Sequence, residues 1–173
     1  MSCALTTGFD LDCRDAVGGV KSVSFASLED YLALSPNADA ATVGTITSIT
    51  ATPTFFKYEQ LKETSSLTET INGSSQNGTV YYTPEVVVVL SKLDVTKRNE
   101  IKLLAQNRVV AIVESNDGSY WVVGYENGLE LNAGTSATGT AFADLSGFSL
   151  TLSGLESAPM VSISASDAAS ITN

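Results

Sequence analysis

The sequence predicts a mainly β protein: a β-sandwich or half-barrel with one packed α-helix and a long projecting β-ribbon. Three observations carry this reading. Most of the chain alternates apolar and polar residues at period two, with β-branched and aromatic residues between Gly, Asn, Asp and Ser punctuation, as strands require. One stretch, residues 91–107, has helical spacing instead. The segment 54–90 reads as two long arms around a polar turn. A chain of 173 residues, 43% hydrophobic, with a net charge of -10 and a mean hydropathy of +0.14 has enough apolar material for a single domain, 1–173, rather than an acidic tail.

Taken in order, residues 1–19 form an N-terminal arm. Asp10, Asp12 and Asp15 have part of the spacing of a calcium loop, but its fifth and twelfth positions hold Arg14 and Lys21, where ligands are required. Residues 20–25 and 44–51 are candidate strands. Between them Ser27 caps a short helical turn, with Asp30 at the third position. In the segment 54–90, a strand with Phe55, Phe56, Tyr58 and Leu61 runs into a polar stretch containing Glu63, Ser65, Ser66, Thr68, Glu69 and Thr70. It turns through Asn72, Gly73, Asn77 and Gly78 and returns through Val80, Tyr81 and Tyr82. The returning arm, residues 79–90, spans about 40 Å at ~3.3 Å per residue, as wide as a domain of this size. The ribbon therefore crosses the domain or overhangs it. Its polar tip is expected to order against a neighbouring molecule, since an isolated two-stranded ribbon is marginal in water; the alternative is an exposed hairpin without a partner.

Residues 86–90, four Val and a Leu, drop the alternation and predict a segment covered on both faces, with Pro84 marking an edge or a bulge. The helix follows at once. Asp94 or Thr96 caps it; Ile101, Leu104 and Ala105 form its inner stripe, and Lys97, Arg98 and Lys102 point elsewhere. Residues 108–114 and 120–125 form a hairpin closed at Ser115, Asn116, Asp117 and Gly118, and Asn127-Gly128 turns the chain into Leu129. Residues 134–140 read as a flexible loop. Phe148, Leu150 and Leu152 then mark a half-buried strand, and residues 162–173 form a C-terminal tail that is loose or docked on a neighbour.

Charge is segregated along the chain. All nine basic residues precede residue 109, and five of them are Lys92, Lys97, Arg98, Lys102 and Arg108. Such a division gives a basic and an acidic pole, which orients a protein against copies of itself or repels a charged cargo. A pI near 4.2 argues against a nucleic-acid binder, because phosphates are held by Lys and Arg. With no His in the chain, His-based triads and His metal sites are excluded. Cys3 and Cys13, the only cysteines, are too few for a zinc site or a disulfide framework and read as reduced thiols. No Gly-Lys-Ser/Thr phosphate loop occurs. No catalytic, cofactor or metal site is expected; an enzyme working by carboxylates alone is the remaining catalytic alternative. No run approaches a membrane span, and no secretory leader is read at the start, so synthesis and folding in a cytoplasm are expected.

The opening Met1-Ser2-Cys3, Gly8-Phe9-Asp10-Leu11-Asp12-Cys13-Arg14-Asp15 and Gly18-Gly19-Val20-Lys21 resembles structural proteins of tailed bacteriophages. So do Gly124-Tyr125-Glu126-Asn127-Gly128-Leu129, Thr138-Gly139-Thr140-Ala141, Asp144, Ser146-Gly147-Phe148-Ser149-Leu150-Thr151-Leu152 and Glu156. The order of elements is similar to the tail tube proteins shared by phage tails and contractile injection systems. That resemblance implies stacked hexameric rings whose inner strands close into one barrel, a ribbon that reaches the adjacent ring, and an acidic lumen through which DNA passes without binding. It implies no catalytic role. The partners would be copies of the chain and other tail proteins, and the location the virion tail, assembled in the host cytoplasm.

On this reading Glu63, Ser65, Ser66, Glu69, Asn72, Gly73, Asn77, Gly78, Lys97, Arg98 and Lys102 are candidate inter-subunit contacts. Glu114, Glu126, Glu130 and Asp144 are candidate lumen acids. The alternatives are a capsid decoration, tail terminator or baseplate protein, or the inner tube of a phage-derived contractile injection system.

Overall fold

The computed structural model describes residue 8 and residues 16–34, 44–46 and 55–172. Within these the chain forms two packed sheets and three helices: β1 Val20–Ser27, α1 Leu28–Ala33, β2 Thr45–Ile46, β3 Phe56–Glu59, β4 Ser66–Ser74, β5 Thr79–Ser91, α2 Val95–Gln106, β6 Val109–Ser115, β7 Tyr120–Val123, β8 Glu130–Ala137, β9 Gly147–Ser153, β10 Val161–Ile163 and α3 Ala165–Ile171. The expected mainly β architecture is what the chain adopts. One sheet has the strand order β2-β10-β7-β6-β1-β3 and the other β4-β5-β9-β8. The calcium-like aspartates, both cysteines and most of the expected strand at 44–51 lie outside the described residues.

Alternation along each strand builds two cores on the two faces of the six-stranded sheet. Val23, Phe25, Val109, Ala111, Val113 and Val123 face inward and meet Val86, Val88, Leu90, Phe148, Leu150 and Leu152 of the four-stranded sheet. Residues one step out of phase, among them Ala26, Val110, Ile112 and Val122, face the other way and are covered by Tyr31, Phe55, Ala168 and Ile171. That second layer corrects the expectation for residues 162–173. The tail docks on its own body: Ser164 caps α3 by accepting from Asp167 N, and Ala168 and Ile171 are buried.

The local signals are realised where chemistry between near neighbours suffices. Ser27 accepts from Asp30 N at 3.1 Å, the expected N-cap bond, and its hydroxyl donates to the Asp30 carboxylate at 2.7 Å. Asp94 is the N-cap of α2 but makes no side-chain cap bond. Leu104 and the half-buried Ile101 turn α2 onto the sandwich core, whereas Ala105 is exposed.

Three further expectations are corrected. The ribbon's outgoing arm is not continuous: β3 pairs with β1 in the six-stranded sheet, Tyr58 packs edge-on against Phe25 at 5.4 Å, and residues 60–65 carry the chain across the sandwich before β4 begins. The residues 86–90 are covered on one face only, since Val87 and Val89 are half-exposed on the outer face. The expected loop at 134–140 is largely strand, because β8 pairs with β9 from Glu130 to Ala137. Pairing supplies what its small, polar residues lack in propensity, and Leu150 lies so close to Gly134 that an added Cβ would meet its Cδ2 at 3.2 Å.

Candidate functional site

The four-stranded sheet has the features that set this protein apart, and they follow from strand lengths. β5 is 13 residues long and β9 only 7. β9 pairs with β5 from Glu85 to Ser91, whereas β4 pairs with it from Val87 out to Thr79. Residues 79–84 therefore run past the end of β9, and among the described residues 79–81 have no backbone partner on that side, an overhang of about 10 Å at ~3.3 Å per residue. Pro84 sits just beyond the end of β9. Tyr82 N donates to Glu156 O, and Pro84 O accepts from Gly154 N, so positions 82 and 84 point their backbone groups toward β9. Pro84 accepts from Gly154 N but has no N–H to return, so the pairing is one bond short at the point where β9 itself has ended.

The two faces of this sheet differ. Register places Ile71 opposite Tyr82 and Gly73 opposite Val80, on the same face as buried Val86 and Val88. Beyond the edge of the facing sheet that apolar face continues uncovered: Ile71 is 68% exposed and Val80 60%. The tip is thus not purely polar, contrary to expectation. The outer face presents Thr68, Thr70, Thr83, Thr151 and small residues together with Tyr81, Val87 and Val89, and Glu85 and Glu130 both lie opposite Ser153. None of the four strands contains Lys or Arg. The bases lie elsewhere, Lys21 on β1, Lys57 on β3 and Lys97, Arg98 and Lys102 on α2.

The predicted contact residues divide into three groups. Asn72, Gly73, Asn77 and Gly78 lie at the ribbon's end; Gly78 has φ 64, the left-handed turn conformation glycine tolerates, and Asn72 Nδ2 donates to Thr83 Oγ1 at 2.9 Å. Glu63, Ser65, Ser66 and Glu69 lie at its base. Ser65 is buried and donates to Gln60 Oε1 at 2.6 Å, while Glu69 accepts from Met160 N at 2.8 Å. Ser65 and Glu69 therefore hold the ribbon to the body. The α2 bases sit apart from both groups, with Lys97 half-buried and donating to Ser91 O and Arg98 and Lys102 exposed.

The predicted lumen acids do not share a surface. Glu130 is exposed on the outer sheet face. Glu126 lies in the turn after β7 and accepts from Ser157 Oγ at 2.5 Å. Asp144, in the β8–β9 connection, accepts from Thr140 N and Ala141 N at 2.8 and 2.7 Å, and these bonds hold its carboxyl below the usual range. Glu114 is the clear departure: it is buried, accepts from Lys21 Nζ at 2.5 Å and Ser22 Oγ at 2.6 Å, and has Lys57 Nζ at 3.5 Å. Burial pushes its carboxyl up, but the bonds from Lys21, Ser22 and Tyr120 and the Lys57 charge prevail and bring it down to about 2. It ties β1, β3 and β6 together and offers no free charge to a lumen.

A second buried carboxylate, Glu156, accepts from Glu126 N at 3.2 Å and Asn127 N at 3.1 Å; burial raises it above the ordinary carboxylate range. Sequence reasoning missed Glu85, which only the strand register places across Ser153 from Glu130, and Phe142, which stands exposed on the β8–β9 connection. Among the described residues no group of three or more His, Cys, Asp or Glu is placed to hold a metal ion, and no helix is long and apolar enough to cross a membrane. Comparison of the chain with protein families, with curated proteins and with solved structures gives no match.

Proposed function

We propose that this chain is a structural subunit of a bacteriophage tail tube, assembling with copies of itself into stacked rings that form a conduit for DNA. The observation that carries the reading is the four-stranded sheet: its strands alternate in direction, it has an edge strand on either side, and none of its strands contains a base. β4, β5, β9 and β8 are antiparallel in succession, so β4 and β8 run in opposite directions. A neighbour rotated about a common axis would set its β4 antiparallel to β8, and the alternation would continue around a ring, leaving no edge exposed. Six copies, the number implied by the resemblance to tail tube proteins, would contribute about 24 strands. At ~4.8 Å between strands, this gives a barrel circumference of about 115 Å before strand tilt is added.

The outer face would then line the barrel. Duplex DNA carries one charge per ~1.7 Å of axis and binds where cations displace its counterions. A wall of Thr, Ser, Tyr81, Val87, Val89, Glu85 and Glu130 supplies no such cations. The strands of this sheet carry no base, and the nearest one, Arg108, lies at its rim beside Glu130 and Ser153.

Negative-stain electron microscopy of the purified chain tests the proposal. The expected result is hollow filaments about 100 Å wide, as for a ring of domains each about 40 Å across. Replacing residues 73–80 with a two-residue Asn-Gly turn keeps Asn72 opposite Tyr81 and removes most of the overhang; it should stop growth at rings. A monomer at several hundred micromolar, or ordinary tubes from the shortened chain, would overturn the proposed role of the sheet.

A further inference from the structure

Phe142 is 111% exposed, yet the loop that bears it is firmly held. Asp144 accepts from Thr140 N and Ala141 N at 2.8 and 2.7 Å, and its own N–H closes a turn on Ala141 O at 3.1 Å. This places Phe142 at the first corner of the turn. Gly139 has φ +71, and a Cβ there would meet Asp144 Cβ at 2.5 Å. Lys92 N donates to Ser146 O at 2.6 Å and pins the loop to the end of β5. A large apolar side chain held out on a preorganised turn loses little conformational freedom on binding, the property of an interface anchor.

The other uncovered apolar surface of the same sheet lies at its opposite end. β5 starts at the ribbon turn and finishes at Ser91, which pairs with Gly147 immediately after the Phe142 loop. Ile71 and Val80 are therefore separated from Phe142 by the length of the sheet, and the two features cannot meet within one molecule. They meet when a second copy is displaced along the strand direction. Each end carries charges of both signs that can pair across the contact: Lys92 and Lys97 together with Asp144 at the Phe142 end, and Glu85 and Glu126 together with Arg108 near the overhang.

We propose that Phe142 of one copy seats on the Ile71 and Val80 face of the next, forming the head-to-tail contact that stacks one ring on another. The proposal rests on the self-assembly reading above and names the contact that propagates it. Such a contact pairs two different surfaces, so it extends as a filament instead of closing as a dimer.

The experiment pairs disulfide trapping with assembly. In a chain carrying Cys3→Ser and Cys13→Ser, the double variant Phe142→Cys with Val80→Cys should oxidise to a ladder of covalent multimers, while either single variant stops at dimers. Phe142→Ala should raise the critical concentration for filaments about tenfold or more with its thermal midpoint unchanged. Tubes that form normally from Phe142→Ala, without a ladder from the double variant, would overturn this contact and leave the tube reading standing. A wild-type chain that remains monomeric would overturn both.

Discussion

Glu114→Gln is expected to cost about 2 kcal/mol of stability at neutral pH and little near pH 2.5. The folded-state carboxyl lies at about 2 against an ordinary 4.5. A group depressed in this way stabilises the fold above its unfolded value, and that contribution is lost as pH falls from about 4.5 toward about 2. About 2.5 pH units at ~1.4 kcal/mol each correspond to ~3.5 kcal/mol. The Glu114 side chain is only 7% exposed, so little of this is screened, but Lys21 is 63% and Lys57 39% exposed. Both lysines regain water when the carboxylate is removed, which reduces the loss to ~2 kcal/mol. For a chain of this size that is a fall of about 4–8 °C in thermal midpoint. Urea denaturation of both proteins at pH 7 and pH 2.5 measures the difference directly, because the other titrating groups are common to the pair. An equal loss at both pH values, or none at pH 7, would refute the view that this carboxylate is held ionised inside the sheet.

Gly147→Ala should lower stability by ~3 kcal/mol or more, because its Cβ would lie 2.1 Å from Leu90 O and force β5 from β9; Gly73→Ala, with nothing within 4 Å, should stay within ~0.5 kcal/mol in the same denaturation assay. Ile171→Ala should cost about 2–5 kcal/mol, since α3 covers one face of the six-stranded sheet, and a change below ~0.5 kcal/mol would restore the tail expected from sequence, loose or docked on a neighbour. Glu156→Ala leaves the N–H groups of Glu126 and Asn127 without their acceptor and should cost ~1–3 kcal/mol. The pH effect of Glu156 runs opposite to that of Glu114: its folded-state value is raised, so relative to Glu156→Gln the native chain gains stability as pH falls through that range.

Elements that depend on residues a few positions apart were legible in the sequence. Ser27 and Asp30 form their cap, Asp117 and Gly118 close their hairpin, and Ile101 and Leu104 turn α2 inward, because each needs only a neighbour three or four residues away or a turn of fixed geometry. The long segment 54–90 was legible only as extended chain. Its division between two sheets depends on Tyr58 meeting Phe25 and on Gln60 accepting from Ser65 Oγ and, at 3.1 Å, from Val89 N, and the sequence pattern around Gln60 does not show that crossing. Residues 130–137 resemble loop in composition and become strand because β9 supplies their hydrogen bonds.

The candidate site divides in the same way. Composition alone determined that the chain has no His chemistry, that its net charge repels phosphate, and that every base precedes residue 109. These properties belong to residue counts and survive any fold. Which acids face solvent was decided only by packing: Glu114 and Glu130 are both strand carboxylates, yet one is buried against Lys21 and Lys57 and the other stands on an open sheet face. Register and strand length place Glu85 across Ser153 from Glu130 and leave Ile71 and Val80 past the end of the facing sheet. A turn closed by Asp144 holds Phe142 free of the body. Local pattern sets which elements form, while the separation of apolar and charged groups onto particular faces is a property of how distant strands align.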